Sequence, residues 1–256
     1  MTSSDIRTMT PARNTWSLQQ AARIAGAAYL ITYAPLYSLF FVKPKLFVAG
    51  DVARTASNIM AHEQLFRVTI VLDLLTVAGC VILNLALYEL LAPVHRSLAR
   101  VAAFWRLVES AVYAAITVSS FVVLSVLSGA DYLQAFELRQ LQALSRLFLS
   151  ARTSGFWVAM LFLSLGSTIY CYLLVRSRYI PRALAYSGLV GSALGVLGLL
   201  AYFLFPESVA ATFAAVRALP AAALVLLALI FAPIYGFEII VGFWLLVKGV
   251  RIPEHT

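Results

Sequence analysis

The chain has 256 residues, of which 62% are hydrophobic and 12% are charged, and its mean hydropathy is +0.91. Soluble domains have about 45–50% apolar and 25% charged residues, so this composition excludes an ordinary soluble protein and predicts an integral membrane protein. The net charge is +8, and we expect the basic residues to lie at helix ends facing anionic headgroups. Membrane lipid is therefore the expected partner, and nucleic acid is not.

Six apolar segments reach the about 20 residues that a helix needs to span a bilayer. Their connections are too short for a soluble domain, so the sequence predicts one all-α, polytopic transmembrane bundle of six helices over residues 1–256. The polar first fifteen residues predict no cleaved signal peptide. The predicted spans lie near residues 19–42, 65–91, 100–127, 153–175, 183–205 and 220–248.

The connections after the first and third spans each predict a short interfacial helix. In the first, Asp51 is a residue type that favours a helix N-cap, and a cap is a better interpretation of it than a ligand group. In the second, residues 131–150 have amphipathic composition. Along the first span, Tyr29, Tyr33 and Tyr37 recur every fourth residue on one face, and Pro35 is expected to bend the helix.

Two polar stripes run along the second and third spans. At 100° per residue each stripe occupies one helix face, and a short link makes the two spans a hairpin, so we expect the stripes to face each other or to share a cavity. The second span contributes Thr69, Asp73, Thr76, Cys80 and Asn84, and the third contributes Arg106, Glu109, Ser110, Tyr113, Thr117 and Ser120.

The sixth span adds Glu238 at a similar depth, next to a helix break predicted at Pro233. Charges at this depth normally face a protein interior or a water-filled cavity. One hypothesis is that Asp73, Glu109 and Glu238 converge on Arg106, which can fully neutralise only one of them. The alternative of equal weight is an Arg106–Glu109 pair that merely fixes helix packing.

Small residues in the fifth span leave two possibilities for packing. Gly191 and Gly195 have the small-xxx-small spacing that brings helix backbones close together. We favour packing within the bundle over a homodimer through this pair. Basic residues are dense in the short links on the side of the termini, which predicts that both termini are cytoplasmic.

Signatures of enzymes are lacking. His62, His95 and His255 are dispersed, and no H-E-x-x-H, G-x-S-x-G, P-loop or C-x-x-C motif occurs. Cys80 and Cys171 lie in apolar segments and do not suggest a disulfide framework. We therefore predict no catalytic residues, metal or cofactor, and lean against an enzyme.

The ordered motifs DVARTASNI…LFR, LYELLAPVHRSLARVAAFWRLVES, LLVRSRYIPRALAYSGLVG and FEIIVGFWLLVKG resemble the bacterial DUF4386 family. The resemblance covers roughly residues 19 to 250. It implies a multi-helix protein of the bacterial plasma (inner) membrane with no established reaction. It also implies that the family pattern includes Glu238 and the Arg106–Glu109 pair.

The leading hypothesis is an interior polar pocket that binds or translocates a small or lipid-like molecule. The second is a non-catalytic scaffold or sensor subunit whose buried charges are structural, and an intramembrane enzyme is third. The candidate pocket residues are Asp73, Asn84, Arg106, Glu109, Tyr113 and Glu238.

Overall fold

A computed structural model describes residues 16–33, 38–48, 51–128, 136–207 and 236–251. Within these ranges every regular element is helical, which confirms the all-α prediction. The elements are α1 (Leu18–Ile31), a π-helical turn (Ser38–Val42), α2 (Lys43–Leu46), α3 (Val52–Ala61), α4 (Glu63–Leu127), α5 (Leu138–Ser177), α6 (Arg182–Leu204) and α7 (Gly236–Val247). The predicted features at Pro35, Tyr37 and Pro233 and in residues 220–235 lie outside the described residues.

Helix α4 folds back on itself near its centre. Its 65 residues would extend about 100 Å if straight, but Pro93 lacks a backbone N–H and His95 has extended dihedral angles of φ −162° and ψ 95°. Hydrogen bonds join Asn84 to Ala103 and, further from the turn, Asp73 to Tyr113. This pairing is antiparallel, so residues 63–94 and 96–127 form the two arms of a hairpin, as predicted for the second and third spans.

Helix α5 is longer than the span predicted for it. It continues without a break from Leu138 to Ser177, about 60 Å at 1.5 Å per residue, whereas the hydrocarbon core is about 30 Å thick. An interfacial helix was predicted within residues 131–150, but residues 138–150 form about the first three and a half turns of α5. In the first connection, Asp51 caps α3 as predicted, because its Oδ1 accepts from the Arg54 backbone N–H at 2.8 Å.

Three of the described helices, α4, α5 and α6, are long and apolar enough to cross a membrane. Many large apolar side chains on them are exposed, including Val71, Phe104 and Leu197. A water-soluble protein would bury such side chains, whereas lipid solvates them. The protein is therefore a membrane protein.

The first and last segments that the structure describes contact each other. The Gln19 side chain donates to the Val250 carbonyl at 2.7 Å and accepts from the Val250 N–H at 3.2 Å. The turn that allows this contact uses Gly249 at φ 66°, where a Cβ atom would lie 2.0 Å from Gln19 Oε1. Nearby, Gly26 of α1 contacts the backbone of α7 at Gly242 so closely that a Cβ atom would lie 2.6 Å from the Gly242 carbonyl oxygen. This junction fixes α7, and hence Glu238, against α1.

Two hydrophobic clusters lie at opposite ends of the hairpin. One surrounds the turn of α4 and includes Leu87, Ala99, Tyr170 and Val241. The other surrounds the free ends of the two arms and includes Phe66 and Val123. The polar residues of the two arms lie between these clusters.

Candidate functional site

The two predicted polar stripes face each other across the hairpin. Their members are buried or half-buried, and hydrogen bonds connect one arm to the other. Each arm also has an apolar face, but the two arms pack against each other through their polar faces. The polar side chains therefore point inward, away from lipid. We call the facing stripes the polar seam; its buried members are Thr69, Asp73, Thr76, Cys80, Asn84, Arg106, Glu109, Ser110, Thr117 and Ser120.

Arg106 and Glu109 form an ion pair in the middle of the polar seam. Arg106 Nη1 lies 3.0 Å from Glu109 Oε2, and each side chain is only 3% exposed. On the opposite arm, Cys80 Sγ donates to Glu109 Oε1 at 3.8 Å. The stem of Arg106 crosses Gly166 of α5, where a Cβ atom would lie 2.6 Å from Arg106 Cγ. Gly166 was not predicted as part of the site, because a glycine in an apolar helix carries no sign of the side chain that crosses it.

The ion pair is close but poorly aligned. Arg106 Nη1 and Glu109 Oε2 are both buried, and neither makes a hydrogen bond with the residues that the structure describes. A buried donor or acceptor without a hydrogen bond costs about 1–3 kcal/mol, and native proteins rarely leave one. The pair therefore leaves one donor and one acceptor for a further polar group.

Glu238 reaches the same region from α7. Tyr33, just beyond α1, donates its hydroxyl to Glu238 Oε2 at 3.1 Å. Glu238 also interacts electrostatically with Arg106 and with Glu109. We call Cys80, Arg106, Glu109, Glu238 and Tyr33 the Arg106 site. It joins both arms of α4 with α7 and with the turn after α1, and it has two carboxyl groups and one guanidinium.

Asp73 belongs to a different charge pair. It forms a salt bridge with Arg152 of α5, and the Tyr113 hydroxyl donates to its other oxygen at 3.3 Å. The hypothesis that Asp73, Glu109 and Glu238 converge on Arg106 did not include Arg152, which is the cation that pairs with Asp73. Sequence reasoning placed Arg152 in a connection, since it precedes the apolar part of α5. Burial and the neighbouring Arg152 guanidinium lower the pKa of Lys43, which the Asp73 carboxylate only partly offsets.

Asn84 forms a link between helices. Its Nδ2 donates to the Ala103 carbonyl at 3.0 Å, and its Oδ1 accepts from the Tyr170 hydroxyl at 2.7 Å. Both ends of the amide are satisfied within the protein, so Asn84 joins the two arms to α5. Among the six candidate pocket residues, the structure therefore brings Arg106, Glu109 and Glu238 together, with Asp73 and Tyr113 on one side and Asn84 on the other.

The described residues also line an open cavity of about 370 Å³ at the free ends of the hairpin arms. None of the six candidate pocket residues lines it. The described residues contain no group of three or more His, Cys, Asp or Glu side chains placed to hold a metal ion.

A family model described as a domain of unknown function, DUF4386, matches residues 24–249. The chain belongs to the DUF4386 family. The match confirms the resemblance seen in the motifs, and it includes Arg106, Glu109 and Glu238. No curated protein and no solved structure matches the chain.

Proposed function

We propose that this protein binds or translocates a small or lipid-like molecule at the Arg106 site, and that this molecule carries a positive charge. The observation that carries the proposal is the excess of carboxyl groups, because Glu109 and Glu238 share one buried guanidinium. By contrast, Asp73 has its own cation in Arg152.

An uncompensated charge in a low-dielectric interior is expensive. A bound amine would supply the missing positive charge, and it would give Glu109 Oε2 a hydrogen-bond donor. A hydroxyl or carbonyl on the same ligand would suit Arg106 Nη1. The aromatic rings of Tyr29 and Tyr33 lie near these charges and add a surface that favours cations.

The proposed setting is a six-span protein of the bacterial plasma membrane with both termini in the cytoplasm. The hairpin supports it, since each of its two arms has enough residues to span the hydrocarbon core of a bilayer. A homodimer through Gly191 and Gly195 stays a secondary proposal. Gly195 contacts Ser164 of its own chain, where a Cβ atom would lie 2.9 Å from Ser164 Oγ, and this favours packing within the bundle.

A scaffold or sensor subunit is the alternative function. It is favoured by the Asp73–Arg152 pair and by the Asn84–Tyr170 link, which are closed within the chain and need no ligand. In this alternative the Arg106–Glu109 pair sets only the specificity of helix packing.

Thermal unfolding in nanodiscs tests the proposal against the alternative. The probes are long-chain alkylamines, with alkanols of equal length as neutral controls. At 100-fold excess over Kd, an amine should stabilise the wild type by about 2.7 kcal/mol and raise Tm by about 5–10 °C, whereas the alkanol should not. Glu238→Gln should lose most of this shift, and Asp73→Asn, the matched control, should keep it.

Two outcomes would contradict the proposal. The first is the same Tm shift for amine and alkanol, which would indicate partitioning without charge recognition. The second is no shift in the wild type with any amine, combined with a lower Tm in both variants. That result would favour the scaffold alternative.

A further inference from the structure

The cavity of about 370 Å³ lies at the end of the hairpin opposite the turn. Its volume falls in the range of about 300–1,000 Å³ that is typical of ligand pockets. It is bounded by the segment after α2, by α3, by the last residue of α4 and by α5. Most of its lining is apolar: Phe47, Val48, Val52, Ala56, Ile59, Leu127 and Leu149.

Three of the four polar residues that line the cavity are occupied by local hydrogen bonds. Thr55 Oγ1 donates to the Asp51 carbonyl at 2.8 Å and accepts from the Val48 N–H at 3.0 Å. Asp51 caps α3, and Ser145 Oγ donates to the Leu141 carbonyl at 2.9 Å. The fourth is Arg146, an exposed cation with no ion pair or hydrogen bond to any residue that the structure describes.

We infer that this cavity binds an anionic phospholipid of the surrounding bilayer, with one acyl chain on its apolar wall and the phosphate at Arg146. The apolar lining matches an acyl chain, and Arg146 is a cation in the lining that matches a phosphate. The other charged residue of the lining, Asp51, caps α3 through its Oδ1. Arginine is also the side chain best suited to phosphate, because its planar guanidinium donates two parallel hydrogen bonds.

The position of the cavity fits the headgroup level. Leu127 ends the second arm of α4, so the cavity lies where the apolar arm stops. Lys43, Lys45 and Arg54 lie in the adjoining helices α2 and α3. Basic residues near the membrane surface attract anionic lipid by about 1 kcal/mol each, so the surroundings of the cavity complement a phosphate as well.

Fluorescence quenching by brominated lipids tests this inference. Phe47→Trp places a reporter in the cavity wall, and Leu197→Trp, at a position that is 64% exposed on α6, reports bulk lipid. Both variants, and the parent protein as background, are reconstituted in equimolar phosphatidylglycerol and phosphatidylcholine, with only one of the two lipids brominated. At Phe47→Trp we expect about a fivefold preference for brominated phosphatidylglycerol; at Leu197→Trp we expect none.

Arg146→Gln and Arg139→Gln, each made in the Phe47→Trp background, separate the cavity from general surface charge. Both arginines are exposed on α5, but only Arg146 lines the cavity. Arg146→Gln should abolish the preference for the anionic lipid, and Arg139→Gln should keep it. Equal losses in the two variants would overturn the inference, as would quenching at Phe47→Trp with no preference. Protection from quenching by added fatty acid, but not by phospholipid, would also overturn it.

Discussion

Gly166→Ala perturbs the Arg106 site without changing any charge. Gly166 lies on α5 beneath the stem of Arg106, and a Cβ atom there would be 2.6 Å from Arg106 Cγ and 3.0 Å from both Arg106 Cδ and the Ala102 carbonyl oxygen. Carbon atoms normally approach to about 3.5–4.0 Å, so the arginine stem has to move by about 1 Å. The backbone oxygen of Ala102 cannot move as easily as a side chain.

Two opposing contributions set the magnitude. An extra methyl group in a packed interior costs about 1–3 kcal/mol, whereas replacing glycine by alanine within a helix stabilises it by about 0.5–1 kcal/mol. The net expected loss in the free energy of unfolding is about 0–2.5 kcal/mol, which lowers Tm by up to about 10 °C for a chain of this size. The shift of Arg106 should also reduce any amine-induced stabilisation.

Gly198→Ala is the matched control, because a Cβ atom at Gly198 meets nothing within 4 Å. The same substitution in a helix should there leave Tm unchanged or raise it by about 1–4 °C. Thermal unfolding of the two variants in one detergent gives the comparison. Equal Tm values for Gly166→Ala and Gly198→Ala would refute the packing of Arg106 against Gly166.

Three further predictions concern the remaining polar residues. Asp73→Asn or Arg152→Gln alone should lower the free energy of unfolding by up to about 3 kcal/mol. In a double-mutant cycle, the double variant should lose less than the sum of the two single losses, and additive losses would argue against the pair. Tyr170→Phe leaves a buried amide oxygen unpaired and should cost about 1–3 kcal/mol in denaturant unfolding, whereas Tyr172→Phe, at an exposed tyrosine, should cost little. The pKa of Lys43 is lowered in the folded state, so the unfolded state binds more protons and stability should rise as pH approaches 10.5. Lys43→Gln should lack that rise. An equal pH dependence of the free energy of unfolding in Lys43→Gln and the wild type would contradict the lowered pKa of Lys43.

Helical periodicity was sufficient to predict the polar seam. Polar residues fall on one face of each of two neighbouring spans when residues are placed at 100° intervals around a helix. A short link that contains Pro93 makes those two spans antiparallel. The facing of the two stripes follows from these two facts, and the Cys80–Glu109 contact is one that the structure adds. Local rules also predicted the Asp51 cap, which depends on residues only three positions apart.

Contacts between distant residues could not be predicted in this way. Arg152 lies 79 positions from Asp73, and Gln19 lies 231 positions from Val250. Hydropathy placed Arg152 outside a span, whereas α5 continues through it as one helix and directs its side chain to the seam. The hypothesis that three carboxylates converge on Arg106 therefore lacked the second cation, Arg152, which pairs with Asp73.

Labelling of Cys80 tests whether the Arg106 site admits a cationic molecule. Cys80 Sγ lies 3.8 Å from Glu109 Oε1, and Cys171→Ser leaves Cys80 as the sole thiol. Cationic and anionic methanethiosulfonate reagents of similar size are added to the folded protein in nanodiscs, and the labelled fraction is followed by mass spectrometry. We expect the cationic reagent to label Cys80 faster than the anionic one, and a long-chain alkylamine to slow this labelling. Labelling by neither reagent until the protein unfolds would contradict this expectation.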